Sequence, residues 1–222
     1  MTIALRSNQQ AVSDTLTMPT HSTGDLILGI ATRDNSTTAP TRPSGWTALF
    51  TIGSGTGSVT VGYKYAQSNA ETFGTWTNAS HVSATVWYGA SNTIVWPWLL
   101  STNTATSGTM SWTAQAAGTF RTSSEDNVLI AWGHNRSSTN NLGLTLGALT
   151  NLFEQGDGAN YQVCVKYQLA RTTVWSATSL GLAAAVFYRT AMLCLTEQTG
   201  YGFTGGSSGG LILPSGFNGG FN

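Results

Sequence analysis

The residues able to do chemistry are few and scattered. Histidines stand at His21, His81 and His134, none with a second histidine or a carboxylate at ligand spacing. A zinc or catalytic centre calls for His-x3-His, Cys-x2-Cys or a comparable cluster, because several donors must converge on one point. No such cluster exists, so each histidine reads as a loop residue. Cys164 and Cys194 are too few for a disulfide framework or a metal knuckle and read as ordinary thiols of a reducing compartment. Asp25 and Asp126 each precede an apolar run; a glycosidase would need two such carboxylates facing one bond, but this placement beside glycine and a strand start reads as turn chemistry. The stretch Gly53-Ser54-Gly55-Thr56-Gly57 lacks the Gly-Lys-Ser/Thr ending of a phosphate loop and leads into a strand, so it reads as a hairpin loop. Gly-x-Ser-x-Gly occurs only within the glycine-rich end, at 205–209 and 206–210, without the strand-to-helix setting of a nucleophile elbow, so no serine nucleophile is assigned. No catalytic residue, metal ligand or cofactor is assigned, and the chain is expected not to be an enzyme.

Two features point instead to binding. Trp96-Pro97-Trp98-Leu99 is a continuous apolar patch, suited to plugging one end of the fold, anchoring a protein interface, or stacking on sugar rings. The glycine-rich end of the chain, residues 201–222, carries Tyr201, Phe203, Leu211, Ile212, Leu213, Pro214, Phe217 and Phe221. By composition it reads as a flexible tail. Added as an extra strand to a neighbour's sheet edge, it would gain main-chain hydrogen bonds as well as apolar burial. Trp96, Trp98 and these arm residues are the expected partner-binding set.

The elements that must position them are strands. Val59, Val61, Tyr63 and Tyr65 alternate with small or polar residues, and Tyr161, Val163, Val165 and Tyr167 do the same. Strands turn successive side chains to opposite faces, so this period of two marks half-buried β-structure. Lys64 and Lys166 follow in the two copies, 102 residues apart, as are Leu26 and Val128 in the apolar runs Leu26–Ala31 and Val128–Trp132. Thr47-Ala48-Leu49-Phe50 matches Thr150-Asn151-Leu152-Phe153, Thr75-Trp76-Thr77 matches Val174-Trp175-Ser176, and Thr85–Ala90 matches Ala185–Thr190. The expectation is an all-β, jelly-roll-like β-sandwich built from an internal duplication. Residues 1–200 would form one domain, with half-repeats at about 24–90 and 126–190, followed by the extended arm 201–222. Further strands are expected at Thr15–Met18 and Thr109–Thr113. Ala-rich sequence from Leu182 to Leu195 favours a helix, whereas its match to Val86-Trp87-Tyr88 favours a strand.

Only 8% of the residues are charged and net charge is zero, against about 25% charged in an average domain. No basic footprint for nucleic acid or an anionic membrane is present. No apolar run reaches the roughly 18 residues of a membrane span. The start, Met1 to Arg6 followed by Ser, Asn and Gln, does not read as a signal peptide. Weak repulsion between copies suits a permanent assembly.

Four stretches in one order, Gly24-Asp25-Leu26-Ile27-Leu28, Pro43-Ser44-Gly45-Trp46-Thr47, Val61-Gly62-Tyr63-Lys64-Tyr65-Ala66 and Ala84-Thr85-Val86-Trp87-Tyr88-Gly89, resemble a group of tailed-bacteriophage virion proteins. The likeness covers about residues 15–90 and, more distantly, 109–190, where Ala148-Leu149-Thr150 stands in place of Gly45-Trp46-Thr47. The resemblance implies a β-sandwich on the outside of a phage particle, assembled in the bacterial cytoplasm. It would be a capsid cement or decoration protein bound to the major capsid protein, as a homo-oligomer such as a trimer. The alternative it implies is a tail-fibre or receptor-binding module for host glycan, using Trp96, Trp98 or loops 33–45 and 134–143.

Overall fold

The computed structural model describes residues 3–53, 55–89, 93–114, 127–137, 149–170 and 178–199. They form ten strands: β1 (Ala4–Ala11), β2 (Leu26–Asp34), β3 (Thr47–Ile52), β4 (Gly57–Tyr65), β5 (His81–Tyr88), β6 (Thr93–Trp112), β7 (Asn127–Asn135), β8 (Thr150–Gly156), β9 (Gln162–Ala170) and β10 (Thr178–Thr199). There is no helix among the described residues. The segment Leu182 to Leu195 lies within β10, paired with β6 from Val186 and with β7 from Tyr188, so sheet pairing of its second part overrides the local helix preference. The strands make two antiparallel five-stranded sheets, ordered β1-β5-β2-β4-β3 and β6-β10-β7-β9-β8. No described strand of one half joins the other half's sheet. Among the described residues the jelly-roll order is not confirmed: each half contributes one sheet.

Alternation explains how the sheets meet. Leu26, Leu28 and Ile30 of β2, Val59 and Val61 of β4 and Trp87 of β5 share one buried core with Val128, Ile130 and Trp132 of β7, Val163 and Val165 of β9, and Leu193 and Leu195 of β10. Face-to-face sheets interdigitate in this way. Two tyrosines bridge the layers by hydrogen bonds, Tyr65 Oη to the Val95 carbonyl at 3.0 Å and Tyr161 Oη to the Ser80 carbonyl at 2.9 Å.

The outer faces are covered too. On the first sheet Trp46, Phe73 and Trp76 pack together over Gly29, with ring centroids 5.1–5.6 Å apart. A Cβ at Gly29 would lie 2.7 Å from the Trp76 ring and 2.8 Å from that of Trp46. Gly29→Ala is therefore expected to cost about 1–3 kcal/mol by overpacking, read as a lower urea midpoint at unchanged slope. On the second sheet β6 and β10 run on beyond β7 as a two-stranded ribbon, which brings Met110 and Trp112 against Gly133. The Trp112 indole N–H donates to the Trp132 carbonyl at 2.9 Å.

The N-terminal segment also differs from expectation. Thr15–Met18 forms no strand; Ala4–Ala11 does, as an edge paired with β5, while Leu16 and Met18 pack on the outer face.

The matched landmarks divide in register. The bulged residue is Leu49 in the β3–β4 pair and Leu152 in the β8–β9 pair, as their alignment requires. Lys64 faces Ile27, however, whereas Lys166 faces Ala131, so the lysines are not equivalent. With Ile27 matched to Leu129, the counterpart of Lys64 is Gln168. A two-residue slip keeps every side chain on its face, which is why alternation could not reveal it. The Thr85–Ala90 match is displaced as well. Trp87 pairs with Leu26, and Val128 pairs with Leu195, eight residues beyond Phe187. The match at 174–176 lies outside the described residues.

Candidate functional site

The apolar inner face gives way to polar groups at one end. Continuing β2 past Ile30 by twos reaches Thr32 and Asp34; running β5 back from Trp87 reaches Thr85, Ser83 and His81. Past Trp132 on β7 the next inward residue is His134, and β10 supplies Arg189. Thr32 is directly paired with His81, and Arg189 with His134. Thr32, His81 and His134 are wholly buried and Arg189 nearly so.

Asp34 is the centre of this group. His134 Nε2 and Arg136 Nε each stand 3.2 Å from Asp34 Oδ1. The histidine contact is a hydrogen bond; the Arg136 Nε is close enough for charge attraction without hydrogen-bond alignment. Trp132 stacks parallel to His134 at 6.5 Å, and the Tyr161 ring lies 5.9 Å away. A side chain at residue 57 would collide with this imidazole, since a Cβ there would be 2.7 Å from His134 Cε1. Gly57 is what lets His134 enter from the opposite sheet.

Burial sets the protonation states. It pushes His134 below its usual range; Asp34 opposes this by hydrogen bond and charge, and Arg189 and Arg136 reinforce it. His134 is accordingly a neutral imidazole that donates from Nε2 to Asp34. His81 is pushed down to about 3, by burial first and by His134 second. Neither of its ring nitrogens has a hydrogen-bond partner among the described residues, nor do Thr32 Oγ1 and Ser83 Oγ. Among the described residues no group of three or more His, Cys, Asp or Glu side chains could hold a metal ion. Buried except at Arg136, the cluster acts as a polar clamp between layers, with Asp34 from the first sheet holding His134 and Arg136 from the second.

This clamp corrects the reading of the histidines. His81 begins β5 and His134 lies within β7, both buried. His21 is in a loop but also buried, its Nδ1–H donating to the Pro19 carbonyl at 2.7 Å while Nε2 accepts from the Glu71 amide at 3.2 Å. The missed signal was parity: His134 falls two residues after Trp132 on the inward face.

Of the expected partner-binding residues, Trp96 and Trp98 lie in edge strand β6 rather than in a loop. Trp96 is half-buried against Tyr63 and Tyr65, with centroids at 6.0 and 6.4 Å, so it closes the rim of the core. Trp98 is half-buried and its indole N–H donates to Thr196 Oγ1 at 3.3 Å. Strand alternation thus divides the apolar patch, leaving Leu99 the more exposed. Tyr201, Phe203, Leu211, Ile212, Leu213, Pro214, Phe217 and Phe221 lie outside the described residues. So do Asp126 and part of loop 134–143. Asp25 does perform turn chemistry, accepting the Ser22 amide at 2.7 Å and pairing with Arg6. Cys164 and Cys194 are buried free thiols, each pushed up to about 12 by burial and so poorly reactive.

Compared with known proteins, the chain matches no family model, no curated protein and no solved structure. Fold and site together define an all-β protein of two stacked sheets whose buried polar residues join its layers.

Proposed function

We propose that this chain is a structural component of a bacteriophage particle, a cement protein seated on the shell of major capsid subunits. The observation that carries the reading is that the stretches resembling virion proteins serve as scaffold. Asp25 ties the first turn to Arg6. Gly45, at φ 82°, turns the chain so that Trp46 covers Gly29. Lys64 reaches Glu71 at 2.8 Å and stands over the Trp46 ring, and Trp87 fills the inner core. Such residues build a rigid block whose work is done by its surface. The low charge accords with close packing of many copies in a homo-oligomer, a trimer in the simplest case.

The same reading takes the two sheets as products of a duplication, since their strands follow one order and each third–fourth strand pair has its bulge at the same place. It assigns the binding role to the arm 201–222, which adds to a neighbour's sheet edge.

Immunogold electron microscopy of phage particles tests the location. Label distributed over the shell is expected; label at the tail tip would favour the glycan-binding alternative, and unlabelled particles would reject both. Removal of residues 201–222 is expected to preserve the circular dichroism of the sheets and abolish attachment to shells. Unimpaired attachment would take the arm out of the mechanism.

A further inference from the structure

Lys166 is wholly buried on β9, and its Nζ donates to Asn151 Oδ1, 3.0 Å away on the adjoining edge strand β8. A buried ammonium is ordinarily matched by a carboxylate, because isolating one from water costs several kcal/mol. No ion pair among the described residues includes Lys166. What stands at hydrogen-bonding distance is the oxygen of a primary amide.

The bulge at Leu152 brings a third group to the same face. Side chains three positions apart on a regular strand point opposite ways; the extra residue Leu152 returns Asn151 and Glu154 to one face. Asn151 is paired with Lys166 and Glu154 with Cys164, two positions back along β9. The Cys164 thiol feels both charges, Lys166 lowering and Glu154 raising its proton affinity. Diagonal neighbours on one sheet face are within reach of side chains of this length.

The first sheet shows that the scaffold does not need this set. Around its own bulge at Leu49 the corresponding positions hold Ala48, Gly62, Thr51 and Thr60. The same backbone arrangement works there with no amine, amide or carboxylate side chain.

We propose that Lys166 and Asn151 are joined by an intramolecular isopeptide bond, with Glu154 carrying the proton. The Glu154 carboxylate takes a proton from Nζ, whose lone pair then attacks Asn151 Cγ to give a tetrahedral adduct. The C–N bond to the original amide nitrogen breaks as Glu154 returns the proton to it. Nζ of the adduct, still carrying two hydrogens, gives one up to the departing ammonia, which leaves as ammonium, and a secondary amide links Nζ to Cγ. No oxidant or reductant is involved, and a buried charge is replaced by a neutral group. The bond would fasten edge strand β8 to β9, and it does not depend on the virion reading.

Intact mass of the denatured full chain, followed by proteolytic mapping, tests it. The expected mass is that of the sequence less one ammonia, with the peptides containing Asn151 and Lys166 recovered as a linked pair. Glu154→Gln is expected to keep the full mass and yield separate peptides while its circular dichroism stays native. Asn151→Asp is expected to lose water instead of ammonia. Unmodified Asn151 and Lys166 in separate wild-type peptides would overturn the proposal. Ammonia loss without the linked pair would also overturn it, since an asparagine succinimide gives the same mass. The wild-type map decides the bond whether or not a variant folds; linked peptides in Glu154→Gln would remove Glu154 from the step.

Discussion

Acidification from about pH 7.5 towards pH 4 is expected to strip this fold of several kcal/mol of stability, with His81 as the main source. In the unfolded chain His81 takes up a proton near pH 6.5; in the fold it resists until about 3. Between those values the unfolded state binds more protons, so stability rises with pH and is complete above about 6.5. Each pH unit lost within the window removes up to about 1.4 kcal/mol for such a group. His134 contributes in the same direction, moderated by Asp34 and reinforced by Arg136 and Arg189. Urea midpoints taken at intervals across this range should fall steadily with acid. His81→Leu, which exchanges an imidazole without hydrogen-bond partners among the described residues for an apolar group of similar size, should be neutral or stabilising near pH 7 and should flatten the profile. An unchanged acid slope in that variant would show that the sensitivity arises elsewhere.

Asp34→Ala is expected to be the most damaging single substitution in the clamp. The carboxylate is a shared acceptor across the layers, and its loss leaves His134 without its acceptor and Arg136 without its counter-charge. Removing one member of a buried pair costs about 3–5 kcal/mol. Arg136 is about a third exposed and regains some hydration, so the lower end, about 3 kcal/mol, is expected. Asp34→Asn preserves the shape and one acceptor oxygen and should cost less. Equilibrium urea unfolding of the three proteins at pH 7.5 gives the comparison. Equal midpoints for wild type and Asp34→Ala would show that the layers do not rely on this contact.

The sequence made the strands legible where one face was plainly apolar. Leu26 to Ile30, Val59 to Tyr65 and Val128 to Trp132 carry a period of two, and their inner faces meet as that period requires. The matched stretches Thr47–Phe50 and Thr150–Phe153 turn out to carry a bulge at the same place, which the sequence alone did not announce. The clamp was hidden because polar residues on an inward face look like the end of a strand. His81-Val82-Ser83-Ala84-Thr85 alternates polar with apolar, and nothing local says that its polar side faces the interior. Register was hidden for another reason: slips by two leave the pattern untouched, so the shared lysines suggested an equivalence that pairing does not support. Strand order depends on contacts distant in sequence, so alternation pointed to strands and a sandwich but not to the order of strands within each sheet.

The polypeptide passes from one described sheet to the other once, between Tyr88 and Thr93. Each layer is thus a finished unit, tethered to its mate by a short span. Such an arrangement permits trading of partners: the leading layer of one molecule can cap the trailing layer of another, rebuilding the same interior between two chains. Closed exchanges would interlock molecules in pairs, and open ones would run on as chains, without creating any new contact surface.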